Sequence, residues 1–143
     1  MKIRYLEPEL IIEINHKIIQ EWNTRHPEQP EFIDVSRPRL DEVLEIVRQA
    51  GKESDLEEEI IIKGAHLLGG LAWAQTFSGA NKRTAVLSTT VFLRRNGLRF
   101  TIPKERQREL RKMIFEVQEQ RDTLQPTIIN KIILYIKGNV IPL

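Results

Sequence analysis

The chain has no cysteine among its 143 residues. Disulfide bonds, thiolate metal ligands and a cysteine nucleophile are therefore excluded, and a reducing compartment suits the composition. Long apolar runs are also missing, and acidic residues stand near the N-terminus, where a signal peptide would be apolar. These absences predict a cytoplasmic protein with no membrane partner.

A strong excess of charge of one sign is absent as well. The 22 basic and 20 acidic residues leave a formal net charge of +2, too small to indicate nucleic-acid binding by itself. Basic residues do cluster between Arg94 and Lys112, but Phe100 is the one aromatic residue there, and Glu105 and Glu109 dilute the charge. A solvated helix face is the favoured interpretation. A nucleic-acid-binding helical module stays as the alternative, and a steep fall of binding with salt would support it.

Apolar periodicity and helix-terminal residues predict a succession of six helices. Ser54–Glu57 has the pattern of a capping box for the third helix, which is apolar almost all round after Ile60 and is therefore expected at the centre. The segment Glu31–Arg37 is a candidate short β flap, with an ordinary interhelical loop as the alternative. The predicted fold is an all-α bundle in one domain spanning residues 1–143. The helices are expected to start near Pro8, Pro38, Leu56, Asn81, Pro103 and Pro126.

The most informative segment is Gln75–Arg83, a loop that leads into the predicted fourth helix. Such a loop is a candidate anion site because the first N–H groups of a helix are unpaired and lie at the positive end of its dipole. Arg83 can bind a phosphate with its planar guanidinium, and Lys82 adds a compact positive charge. Gly79 and Ala80 let the backbone approach a ligand closely. A basic helix start that faces water is the alternative interpretation.

This segment resembles the signature of the Fic/Doc family, H-x-F-x-[D/E]-[A/G]-N-[K/G]-R, and most closely that of its Doc branch. The resemblance is strongest from about Leu56 to Leu98 and implies a Fic fold. The matching residues are Phe77, Ala80, Asn81, Lys82 and Arg83.

The resemblance implies a toxin-type transferase that uses ATP to modify a hydroxyl group of a protein. In the family, the histidine is the general base, the acid holds a magnesium ion that bridges the phosphates, and the arginine neutralises developing charge. Lys82 is typical of the Doc branch, which is associated with phosphoryl transfer. Val86 stands where many AMP-transferring members have a second arginine, so phosphoryl transfer is favoured over AMP transfer.

The resemblance also assigns roles to the residues of the loop. It implies that Gly79–Arg83 binds the nucleotide phosphates, with Asn81 as a helix cap or a phosphate donor. Phe77 is expected to anchor the loop in the core. Arg83 and the residue at the histidine position, Gln75, are the candidate catalytic residues.

Two positions depart from the family signature. Gln75 replaces the histidine, and a carboxamide does not take up a proton near neutral pH. Loss of a general base typically lowers a rate by about 100- to 10,000-fold. Gly79 replaces the acid, so Mg²⁺ would depend on the phosphates and on water. The sequence therefore predicts an impaired Doc-like transferase, and a catalytically degenerate Fic domain that binds nucleotide or a partner is the alternative.

Regulation is expected to come from another chain. The inhibitory motif of many Fic proteins, [S/T]-x-x-x-E-[G/N], is not present, since its nearest match, Ser54 with Glu58, is followed by Glu59. The resemblance to Doc therefore implies an antitoxin that acts in trans.

The histidines His16, His26 and His66 show no spacing typical of metal ligands, so no protein-only metal site is predicted.

Overall fold

The computed structural model describes residues 2–120 and 122–143. It confirms the all-α prediction, with a small two-stranded antiparallel sheet in addition. A 3-10 turn at Lys104–Arg106 precedes the fifth helix. No helix in the described residues has the length and apolar character needed to cross a membrane. The elements are α1 (Pro8–Arg25), α2 (Arg37–Gln49), α3 (Leu56–Ala74), α4 (Asn81–Arg95), β1 (Leu98–Phe100), α5 (Gln107–Glu119), α6 (Pro126–Lys137) and β2 (Val140–Pro142).

Helix α3 lies at the centre of the fold, as its apolar composition predicts. It packs against α2, α4, α5 and α6, while α1 packs mainly against α4. Glycines permit two of these close approaches, since a Cβ at Gly64 would lie 3.0 Å from Leu93 of α4 and one at Gly70 would lie 2.9 Å from Val43 of α2. The α3–α4 pair therefore forms a tightly packed support for the loop that joins the two helices.

The N-terminus of α3 differs in one residue from the prediction. Asp55, and not Ser54, is the N-cap, and its side chain accepts a hydrogen bond of 2.9 Å from the backbone N–H of Glu58. The two residues are adjacent and both are good caps, so the sequence pattern did not distinguish them.

A buried lysine joins α3 to the end of α2. The Lys63 side chain is fully buried, and its ammonium group donates to the carbonyl oxygens of Val47 (3.1 Å), Arg48 (2.8 Å) and Ala50 (2.7 Å). The ammonium group also pairs with the carboxylate of Glu59 at 3.2 Å. Lys63 thus donates to carbonyl groups at the C-terminal end of α2, where the regular backbone hydrogen bonds of the helix come to an end.

The short sheet lies beyond the C-terminus of α4. Gly97 adopts a left-handed conformation, with φ +88°, and turns the chain into β1. Strand β1 pairs with β2 in antiparallel register, with Arg99 opposite Ile141.

The two ends of the described chain both contact this turn. The side chain of Asn96 accepts from the backbone N–H of Arg4 at 2.8 Å and donates to the Arg4 carbonyl at 2.9 Å. At the other end, the N–H of Leu143 donates to the carbonyl of Gly97 at 3.0 Å. The corner at the C-terminus of α4 therefore holds both ends of the chain.

The candidate flap lies beside the loop Gln75–Arg83, which is called the signature loop from here on. The N–H of Ser36 donates to the carbonyl of Thr76 at 2.7 Å, and the N–H of Ser78 donates to that of Asp34 at 3.3 Å. These bonds form an isolated antiparallel bridge between Val35 and Phe77 and do not extend into a strand. Residues 31–36 of this segment thus form an interhelical loop held against the signature loop, and Arg37 is the first residue of α2.

Candidate active site

The signature loop starts and ends on left-handed backbone. Gln75, directly after α3, has φ +46°, and Ala80, directly before α4, has φ +60°. Residues other than glycine seldom adopt this conformation, and positions that do so tend to cluster at functional sites. These two residues reverse the chain between α3 and α4.

Asn81 closes the loop through both atoms of its side-chain amide. Its Oδ1 accepts from the backbone N–H of Phe77 at 3.0 Å, and its Nδ2 donates to the Phe77 carbonyl at 2.8 Å. The Phe77 side chain is only 5% exposed and lies in the core. In this conformation, Asn81 therefore shapes the loop through Phe77.

A buried asparagine of α1 holds the loop from the other side. Asn15 is fully buried, and its Nδ2 donates to the carbonyl of Gly79 at 2.9 Å and to the hydroxyl of Thr84 at 3.1 Å. The sequence analysis missed this residue. The available signal was an asparagine next to Ile14 on the apolar side of a predicted helix, where a polar side chain needs a partner.

Lys82 and Arg83 lie at the N-terminus of α4, and both are exposed. Within the described residues, no side chain caps this helix. The guanidinium carbon of Arg83 lies 5.2 Å from the centre of the Trp22 ring, a distance suited to a cation–π contact. The first turn of α4 therefore presents backbone N–H groups and two cationic side chains to a ligand.

The side chain of Glu31 places a carboxylate beside Arg83 and Gly79. Its Oε1 lies 2.8 Å from Nη2 of Arg83, and its Oε2 lies so close to Gly79 that a Cβ at that residue would overlap it. Its backbone is held by Asn23, whose Oδ1 accepts from the Glu31 N–H at 2.8 Å and whose Nδ2 donates to the Glu31 carbonyl at 3.0 Å. The sequence analysis placed Glu31 in the candidate flap and gave it no chemical role.

Gln75 lies at the opposite end of the loop, exposed at the C-terminus of α3. Two open clefts of about 370 and 270 Å³ adjoin it, and both include Arg39 of α2 in their walls. Gln118 and Gln120 line the first cleft, which adjoins a mainly apolar cavity of about 310 Å³ between α2, α3 and α6. A polypeptide bound in these clefts would place a side chain next to Gln75.

His66 lies in the wall of that apolar cavity. Burial lowers the pKa of its imidazole, and the positive charge of Lys63 lowers it further. Gln75 follows His66 by about 13 Å along α3 at the standard helical rise, so the histidine does not replace the missing base.

The loop between α3 and α4 thus ends in a cationic, uncapped helix start whose shape is fixed by Asn81 and Asn15. A family model described as the Fic/DOC family matches residues 5–93. The chain belongs to the Fic/DOC family. A comparison with curated proteins finds no match. Membership of the family indicates a Fic-type transferase or a related domain.

The Fic/DOC match covers the signature loop and the residues that hold it, but not Gln118 and Gln120 of the first cleft. Residues 5–93 include Asn15, Glu31 and the complete signature loop, and they end within α4. The small sheet and helices α5 and α6 follow the matched part. Family membership also fits a protein target and a protein antitoxin in general terms.

Within residues 2–120 and 122–143, no group of three or more His, Cys, Asp or Glu side chains could hold a metal ion in this Fic/DOC chain. Mg²⁺ does not require such a group, because it is usually held by one or two carboxylates, by substrate phosphates and by water. The carboxylate of Glu31, which lies beside Gly79, could be one such carboxylate ligand.

Proposed function

We propose that this Fic/DOC domain binds the phosphates of ATP at the N-terminus of α4 and transfers a phosphoryl group to a hydroxyl of a protein. The observation that carries the proposal is Arg83, exposed at an uncapped helix start beside the small residues Gly79 and Ala80. Backbone N–H groups and the guanidinium of Arg83 are available there, and Lys82 adds a second positive charge to the same helical turn, as suits an anionic ligand.

In the proposed reaction, the hydroxyl oxygen of the target attacks the γ-phosphorus of ATP. The bond between this phosphorus and its bridging oxygen breaks, and ADP leaves. Arg83 and Lys82 stabilise charge on the phosphoryl oxygens, which contributes most of the catalysis in such reactions. Mg²⁺, when bound with the nucleotide, would supply further charge neutralisation. Gln75 orients the hydroxyl by a hydrogen bond, and the proton is released to water because a carboxamide cannot accept it.

Phosphoryl transfer is proposed ahead of AMP transfer because Lys82 and Val86 follow the Doc pattern. A toxin of this type would be inhibited by an antitoxin that binds in trans. The clefts beside Gln75 are the proposed place for the target chain, and the exposed Phe32 and Ile33 of the neighbouring loop offer it apolar contacts.

Gln75 gives specific support to a second function. A Fic/DOC domain that retains the phosphate site but has no general base can bind nucleotide without turnover. This domain would act as a nucleotide- or partner-binding module.

The two functions are separated by ATP labelled at the α- or the γ-phosphate. The protein is incubated with cell lysate and Mg²⁺, and labelled proteins are detected after electrophoresis. Transfer of the γ-label supports the phosphotransferase, and transfer of the α-label shows AMP transfer. Binding of ATP without transfer of either label identifies the binding module.

Arg83→Gln is expected to weaken ATP binding by about 10- to 100-fold, because a charge-assisted hydrogen bond to phosphate contributes about 1.5–3 kcal/mol. Isothermal titration calorimetry measures the change. The matched control is Arg95→Gln, which removes the same charge from the exposed C-terminal end of the same helix. Equal affinities of the two variants would contradict a phosphate site at Arg83.

A further inference from the structure

We propose that Glu31 makes phosphate binding at Arg83 dependent on a divalent cation. The inference rests on the proposed phosphate site and adds a residue from outside the signature loop. Glu31 is a specificity-determining residue that admits the metal complex of a nucleoside triphosphate and disfavours the free anion.

The fold holds the backbone of Glu31 in place, and Arg83 pairs with its carboxylate. Two hydrogen bonds with Asn23, at 2.8 and 3.0 Å, fix the Glu31 backbone. The indole N–H of Trp22 donates to the carbonyl of Gln29 at 3.0 Å and fixes the chain two residues earlier. The C-terminal end of α1 thereby orients the whole segment toward the N-terminus of α4.

Gly79 and Glu31 depend on each other sterically. A Cβ at residue 79 would overlap Oε2 of Glu31, so an acid at 79 and the present position of Glu31 exclude each other. The glycine that removes a carboxylate from the signature loop therefore creates the space that the carboxylate of Glu31 fills.

The charges at this point determine which ligand can bind. The Glu31 side chain is 25% exposed and pairs with Arg83, which is 46% exposed. A phosphate that binds Arg83 meets the Glu31 carboxylate at close range, and two anions in partly buried surroundings repel each other. A divalent cation between them reverses this interaction, because Mg²⁺ accepts oxygen ligands from a carboxylate and from phosphates together.

The test compares the wild-type chain with Glu31→Gln. Calorimetry measures the Kd of a non-hydrolysable β,γ-imido analogue of ATP in Mg²⁺ and in EDTA. For the wild type, Mg²⁺ is expected to tighten binding by at least about tenfold. For Glu31→Gln, the metal-free analogue should bind about tenfold more tightly than to the wild type, and the effect of Mg²⁺ should shrink to about twofold or less.

Glu28→Gln is the matched control. It makes the same change of charge in the same loop, and Glu28 is exposed. It should keep the metal dependence of the wild type. A second variant, Glu31→Ala with Gly79→Asp, returns a carboxylate to residue 79 and should restore the preference for the Mg²⁺ complex. Electron paramagnetic resonance of Mn²⁺ gives an independent readout, since by linkage the ion should bind the complex of Glu31→Gln and the analogue at least about fivefold more weakly than the wild-type complex.

Three results would overturn the inference. If Glu31→Gln tightens binding equally with and without Mg²⁺, Glu31 is only a competitor for Arg83. If the variant changes neither Kd, the ion pair has no influence on the site. If neither chain binds the analogue under any condition, the phosphate site fails as well. In the first two cases ATP binding and label transfer by the wild type can persist, so failure of this inference is distinguished from failure of the proposed function.

Discussion

Replacing Gln75 by His is expected to raise the rate of γ-label transfer by about 100- to 10,000-fold, the usual contribution of a general base. The imidazole can accept the proton of the attacking hydroxyl near neutral pH, whereas the carboxamide cannot. The backbone permits the change, since Gln75 has φ +46° and histidine is among the residues enriched in left-handed conformations. The exposed position at the clefts leaves room for the ring.

The experiment leaves Gly79 unchanged. An aspartate there would overlap Glu31 and introduce a second disturbance into the same measurement. Gln20→His, on an exposed position of α1, controls for the addition of a histidine. If Gln75→His folds, binds ATP as tightly as the wild type and transfers no more label, the missing base is not what limits the rate.

Replacing Lys63 by Met is expected to lower the free energy of unfolding by about 3–5 kcal/mol, the usual cost of removing one member of a buried ion pair. The variant leaves the partly buried carboxylate of Glu59 without its partner. It also removes the donor to the carbonyl groups of Val47, Arg48 and Ala50. An unsatisfied buried acceptor adds to the loss.

Urea denaturation followed by circular dichroism measures this change. Lys17→Met is the matched control because Lys17 pairs with Glu13 at the same i,i+4 spacing, 3.2 Å apart, but on the surface. Exposed pairs of this kind contribute about 0.3–0.5 kcal/mol. If the two variants lose similar stability, the contacts of Lys63 do not stabilise the junction of α2 and α3.

Local signals explain why the helical framework was predictable. Pro8 and Pro126 begin their helices because proline suits the first turn, and Gly97 follows α4 because it adopts φ +88° without strain. Strand β2 lacked such a signal, since a three-residue strand depends on its partner β1 and has too few residues to show alternation. Lys63 was also overlooked, because a lysine in an apolar helix has no pattern that reveals three distant carbonyl groups.

In the candidate site, too, some features have a local signal in the sequence and others do not. The signature loop could be located from the sequence because Phe77, Asn81 and Arg83 stand at a recognisable spacing. The contacts that shape it could not, since Asn15 reaches Gly79 across 64 residues and Glu31 reaches Arg83 across 52. Such partners depend on how α1 packs against α4, and a single sequence contains no direct record of that packing.

The corner at Asn96 and Gly97 has a consequence for protein engineering. Arg4 and Leu143 both bond to it, while the signature loop lies at the other end of α4, a helix of 15 residues and therefore about 22 Å long. A purification tag or a fluorescent reporter fused at either end would thus stand well away from the signature loop. A short linker between the two ends would give a circular permutant, and new ends could be opened in an exposed loop without disturbing the proposed phosphate site.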